Sequence, residues 1–290
     1  MSARSQDAPD TTLVGQLIEE YFPFAPPKGQ LPDATPAEGP DPYGNPDPEW
    51  LQIDWREHLR QINLDGARVN YVELGSGPRL PLIFVHGLSG SWQNWLENIP
   101  HFAREHRVLA LDLPGFGHSP LPDWEISIEG YGRLLHDFCD ALAIGDCALV
   151  GNSMGGFIAA EMAIRSPRRV RSLTVVSAAV FWQGYKRAQP LVGLARLSDA
   201  YVARALTRTT DSIATRPRLR TWALATAGFR YPHLISRELA HEMVRSARRT
   251  DGFLPALEAL ADYPLDEELP KIDCPTDIGS SPPGLSMVSG

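Results

Sequence analysis

Apolar residues recur in this chain in two rhythms. Four runs are apolar at nearly every position: PLIFVHG (81–87), RVLALDLPG (107–115), CALVGNS (147–153) and RSLTVVSAA (171–179). A strand buried on both faces of a parallel sheet has this pattern. Between the runs, residues of about 91–104, 127–143 and 154–166 space their apolar side chains as helices do. Strands alternating with helices predict an α/β fold with a mostly parallel sheet and helices on both faces. Ahead of them, QINLDGARVNYVELGSG (61–77) reads as two strands joined at Asp65-Gly66, a pair suited to a hairpin turn.

Outside this stretch the rhythm changes. TTLVGQLIEEYF (11–22) puts Leu13, Val14, Leu17, Ile18, Tyr21 and Phe22 on one helical face. With no basic polar face, it reads as a helix docking on its own domain rather than on a membrane surface. Residues 23–48 carry nine prolines and predict an extended linker. After Ala179, stretches such as LVGLARLSDAYVARAL and SRELAHEMVRSARR are helical in pattern and no strong strand is visible. The organisation expected is therefore 1–49 as N-terminal helix and linker, 50–180 as core, 181–265 as a helical cap insertion, and 266–290 as a remnant of core with a disordered tail.

Composition narrows the function classes. A net charge of −8 is against a general nucleic-acid binder, which would be basic. Three cysteines, Cys139, Cys147 and Cys274, form no CxxC or Cys/His cluster, so no metal site is expected, and the odd number fits a reducing compartment. The first residues are polar, without a signal-peptide core, and no run approaches the roughly 20 apolar residues of a membrane span. These features predict a soluble cytoplasmic protein; they say nothing of oligomeric state.

The candidate chemistry lies in ALVGNSMGGF (148–157), where an apolar run ends in one serine among glycines. A strand ending near Val150 and a helix starting near Met154 leave Ser153 at a sharp corner. Gly151 and Gly155 suit places where a side chain would meet neighbouring backbone. The helix start supplies free N–H groups that favour a developing oxyanion. GNSMG fits the G-x-S-x-G nucleophile elbow.

With VHGLSGSWQNW, LDLPGFGHS, GNSMGG and KIDCPT, the chain resembles the α/β-hydrolase fold family over roughly residues 50–276. The resemblance implies Ser153 as nucleophile. It implies an oxyanion hole made by the backbone N–H of Met154 and, after His86-Gly87, of Leu88, with no cofactor. His86 and His118 are expected to be structural, and GFG lacks the following Gly-Lys-Ser/Thr of a phosphate loop. The helical insertion resembles the family's cap, where Trp182, Tyr185, Trp222, Phe229 and Tyr231 are candidates to line an apolar pocket. With a serine at the elbow, the resemblance implies hydrolysis of a small-molecule carboxylic ester or other acyl substrate through an acyl-enzyme, and leaves open C–C bond hydrolysis, perhydrolase and acyltransferase chemistry. A non-catalytic protein holding an apolar ligand is the rival reading.

The partners of Ser153 are harder to find. In the family the order is Ser, then Asp or Glu, then His. Only two histidines follow Ser153, His233 and His241, both within the expected cap. After Thr276 the sequence runs DIGSSPPGLSMVSG, with no strand-like run and no matching acid. With the last strands and helix absent, the break suggests a frameshift or truncation after Thr276, a genuine short form being the alternative. It would leave Leu173–Ser177 as an apolar edge strand and turnover low for want of a base.

Overall fold

The structure, a computed structural model, describes residues 48–176, 235, 237–246 and 251–279. The expected helix at 11–22 and nearly all of the proline-rich stretch lie outside the described residues, as do Trp182, Tyr185, Trp222, Phe229 and Tyr231.

Gly66, at φ 67°, turns β1 (Leu59–Leu64) back into β2 (Ala67–Leu74), with Leu64 facing Ala67. The four apolar runs become β3 (Arg79–Val85), β4 (His106–Leu111), β5 (Cys147–Asn152) and β6 (Val170–Val176), and a last strand, β7, spans Thr276–Gly279. They form one sheet in the order β1-β2-β4-β3-β5-β6-β7. β1, β2 and β4 pair antiparallel, and every pairing from β4 through to β7 is parallel. After β3 the chain steps to β4 on one side and then to β5 on the other. The carboxyl ends of β3 and β5 therefore flank a topological switch point, where open α/β sheets leave a crevice for ligands.

Alternation along the strands divides two cores. Ile83, Val85, Leu109, Leu111 and Leu149 face α2 (Ile128–Ala141) and α3 (Met154–Arg165). Leu82, Phe84, Val108 and Ala110 face the other way, onto α1 (Asn98–Ala103) and the 3-10 turn Trp92–Trp95. Ser127 starts α2, its hydroxyl accepting from Gly130 N–H at 3.0 Å. Small residues let α3 lie close on the sheet: Gly155, Gly156, Ala159, Ala160 and Ala163 are all buried. The segment 48–58 straps the second core, with Trp50 Nε1 donating to Glu97 Oε1 at 2.9 Å and Trp55 packed on Trp92.

Two helices of the expected cap region are described, α4 (Arg237–Ser246) and α5 (Phe253–Asp262). Ala240, Ala256 and Leu260 are buried. Tyr263, just past α5, donates its hydroxyl to buried Glu161 of α3 at 2.6 Å, which ties this return of the chain to the core.

One expectation is corrected. Residues 277–279 read from the sequence as the start of an unstructured tail, yet with Thr276 they form β7. Leu173, Thr174, Val175 and Val176 of β6 pair with Thr276, Asp277, Ile278 and Gly279. β6 is therefore covered here rather than an open edge. The physical reason is that β6 offers a complete ladder of backbone groups, and pairing to it outweighs the weak strand propensity of TDIG. Most of β7 is exposed, Ile278 at 57%, so its side chains gave no burial pattern to read.

Candidate active site

Ser153 stands between β5 and α3 with φ 53° and ψ −120°. A non-glycine residue there is strained, by about 1–3 kcal/mol, and persists only where its surroundings fix it. Three bonds do so. Ser153 N–H donates to Val176 O of β6 at 2.8 Å, Asn152 Nδ2 donates to the same oxygen at 3.2 Å, and Gly156 N–H donates to Ser153 O at 2.9 Å. The Ser153 hydroxyl does not cap α3. The usual fate of a serine at a helix start is therefore not its fate here.

The glycines around the corner are required sterically. A methyl on Gly151 would sit 2.2 Å from Gly155 O, and one on Gly155 would sit 2.2 Å from Val85 O. Both contacts are with backbone, so neither strand nor helix can yield locally. Gly87 approaches the serine itself: a methyl there would lie 3.0 Å from Ser153 Cβ and from Asn152 O. The loop that carries Leu88 is thus packed directly against Ser153. Met154 is buried as the first residue of α3, among the N–H groups for which a helix has no internal acceptor. The other strained non-glycine residue near the site is Ser89, φ 60°, one residue beyond Leu88.

His86 has a fixed tautomer. Its Nε2 accepts from Leu113 N–H at 2.9 Å, so Nδ1 bears the proton and donates to Gly87 O at 2.7 Å. Burial holds its imidazole below the ordinary histidine range, against the attraction of the nearby Asp112 carboxylate. With both ring nitrogens engaged and no exposed surface, His86 joins the loop after β3 to the loop after β4.

The glycines of LDLPGFGHS also have packing reasons. Gly115, at φ 92°, touches Gly252 ahead of α5, where a methyl would lie 2.8 Å from Gly252 Cα. Gly117, at φ 55°, wraps the side chain of Asp112. His118 is exposed and donates its backbone N–H to Asp112.

No hydrogen bond joins the Ser153 hydroxyl to a histidine or carboxylate among the described residues. His233 lies outside them, and His241 lies on α4, its side chain undescribed. Among the described residues no cluster of three or more His, Cys, Asp or Glu could hold a metal ion. No described helix is long and apolar enough to cross a membrane. The residues that sequence reasoning passed over are Asn70, Trp92 and Asp112. The signal that could have found them is an acid, Asp112, directly after the apolar run Val108–Leu111.

Comparison with known proteins agrees with this architecture. The chain is 27% identical over 266 residues to the dihydrolipoyllysine-residue acetyltransferase component of an acetoin cleaving system from Cupriavidus necator, covering 89% of this chain and 66% of that protein. It is 40% identical over 125 residues to a 2-hydroxymuconate semialdehyde hydrolase from a Pseudomonas species, covering 41% of this chain and 43% of that protein. The chain thus spans 43–66% of the length of these curated relatives. Among solved structures, a hydrolase from Pseudomonas aeruginosa superposes with a TM-score of 0.56 at 20% identity, covering 76% of this chain and 78% of that one, a likeness of fold. The family description for the alpha/beta hydrolase fold matches residues 81–267, from within β3 to beyond α5. With the strand order around β3 and β5, the strained serine and the Gly87 loop on its flank, that match makes this chain a member of the alpha/beta hydrolase fold family.

Proposed function

We propose that this chain is a serine hydrolase of carboxylic esters, working through an acyl-enzyme on Ser153. The observation that carries the reading is the corner itself. Ser153 is held at φ 53°, its hydroxyl uncommitted to the helix start, with the Gly87 loop against it. In this reading the hydroxyl oxygen attacks the ester carbonyl, and the carbonyl oxygen becomes an oxyanion facing the N–H groups of Leu88 and Met154. The alcohol leaves as the carbonyl re-forms, and water then releases the acid. Amides aimed at the developing charge need no reorganisation, and losing one such donor typically costs about 10²–10³ in rate. Nothing in the step calls for a cofactor.

Serine must lose a proton to attack, and the rate depends on what receives it. His233 and His241 are the two histidines beyond Ser153 in this sequence. Without a base, a serine hydrolase retains about 10³–10⁴ over water from its oxyanion hole and binding alone. The expected turnover of p-nitrophenyl butyrate is therefore below ~1 s⁻¹ and indifferent to His233→Ala and His241→Ala, and an acid quench during turnover finds a butyryl group on Ser153 that is absent from Ser153→Ala. Faster turnover that disappears with either histidine would place the base in the cap region. A quench that finds no butyryl group on Ser153 would end the reading.

C–C bond hydrolysis is the second reading. Its support is the likeness over 125 residues to the 2-hydroxymuconate semialdehyde hydrolase. Preferential turnover of a vinylogous diketone over a p-nitrophenyl ester would favour it.

A further inference from the structure

A buried carboxylate behind the Gly87 loop has no part in the steps above. Asp112 closes β4 and has no exposed surface. Its Oδ1 accepts from Trp92 N–H at 2.9 Å. Its Oδ2 accepts from Asn70 Nδ2 and from His118 N–H, each at 2.9 Å. The backbone around it is closed as well. Asp112 N–H donates to Asn70 O at 2.8 Å, Ser119 Oγ donates to Asp112 O at 2.8 Å, and Asn70 N–H donates to Ser119 Oγ at 2.8 Å. Gly117 folds over so tightly that a methyl on it would lie 2.4 Å from the carboxyl carbon.

The three donors come from three segments: β2, the start of the 3-10 turn at Trp92, and the loop after β4. The Trp92 bond is the informative one. Residues 87–91 form the loop against Ser153, folded on itself by Gly90 N–H donating to Gly87 O at 3.0 Å. Its near end is held by His86, whose Nε2 takes the N–H of Leu113. Its far end is held by the Asp112 carboxylate through Trp92 N–H. Two adjacent residues, 112 and 113, thus grip both ends of the loop that carries the Leu88 amide. A buried charge is a poor device for stability alone, because an apolar side chain of the same shape serves as well. A carboxylate that must meet three donors in fixed directions does define geometry.

We propose that Asp112 is a positioning residue for the oxyanion loop, fixing the Leu88 amide toward Ser153. The inference rests on the ester-hydrolase reading for its consequence in rate, and on the hydrogen bonds alone for its consequence in loop order. Asp112→Asn keeps the shape and replaces one acceptor oxygen with an NH2 group that opposes an N–H donor.

The test uses the full chain and a fluorophosphonate probe. In Asp112→Asn the limiting labelling rate falls about 10- to 100-fold, as for a displaced donor, while the half-saturating probe concentration stays within about 2-fold. Amide hydrogen exchange in peptides spanning 87–95 quickens by about 10-fold or more, with α2 peptides unchanged. Tyr263→Phe, remote from the loop, lowers stability without either effect. Unchanged labelling and exchange in folded Asp112→Asn would overturn the proposal. If the unaltered chain does not label, the nucleophile reading fails separately, and exchange in 87–95 still decides whether Asp112 orders the loop. If Asp112→Asn does not fold, Asn70→Leu removes one donor and is read in the same way, with an expected effect of roughly 3- to 10-fold; no effect there overturns the proposal.

Discussion

Replacing Gly151 with alanine tests the steric account of the corner. The backbone of Gly151 has no positive φ, so alanine is conformationally acceptable there. What forbids it is space. The new methyl would sit 2.2 Å from Gly155 O, 2.5 Å from Gly155 C and 2.6 Å from Gly156 Cα. Close carbon–oxygen contacts run to about 3.3 Å, so β5 and the start of α3 must separate by about 1 Å. Overpacking of this kind costs about 1–3 kcal/mol. The same displacement moves Ser153, which lies between the two elements, and 1 Å of misplacement costs about 10² in rate. The control is Gly145→Ala, where the methyl meets nothing within 4 Å; the change there should stay within about 0.5 kcal/mol. Urea unfolding gives the stabilities, and fluorophosphonate labelling gives the reactivity of Ser153. If Gly151→Ala matches Gly145→Ala in both, the close-packed corner is not what holds the serine.

Two further predictions concern buried polar groups. His86 is neutral in the fold because burial lowers its affinity for a proton, whereas an unfolded imidazole takes one up below about pH 6.5. The unfolded state then binds more protons than the native state, so stability falls as pH drops below 6.5, by up to about 1.4 kcal/mol per pH unit. Urea titrations at pH 7.5, 6.5 and 5.5 should show the stability gap between the unaltered chain and His86→Gln closing at that slope; a constant gap contradicts it. Tyr263→Phe removes the hydroxyl that donates to buried Glu161 at 2.6 Å, leaving Arg165 as its remaining partner. The expected loss is about 1.5–3 kcal/mol in urea unfolding, with the labelling rate of Ser153 unchanged.

The sequence made legible whatever depends on near neighbours. The apolar runs at 81–87 and 107–113 announced strands buried on both faces, Asp65-Gly66 announced a hairpin, and the small residues around Ser153 announced a corner. Each follows from local sterics or periodicity. What remained hidden depends on residues brought together by the sheet. Asn70 and Asp112 are 42 positions apart and meet because β2 pairs with β4. Val176 O, which receives the amide of Ser153, sits at the end of a strand whose pattern reveals burial but not which carbonyl reaches the corner. β7 was missed for the same reason, since TDIG draws its pairing from β6 rather than from its own composition.

The central claim is that the oxygen of half-buried Ser153 is a nucleophile facing amides, and its most direct test is the mass of the intact chain after exposure to a fluorophosphonate. The account predicts a single adduct per folded chain, on the peptide that contains Ser153, absent from Ser153→Ala. A folded chain that takes up no adduct, or an adduct that survives Ser153→Ala, would contradict it.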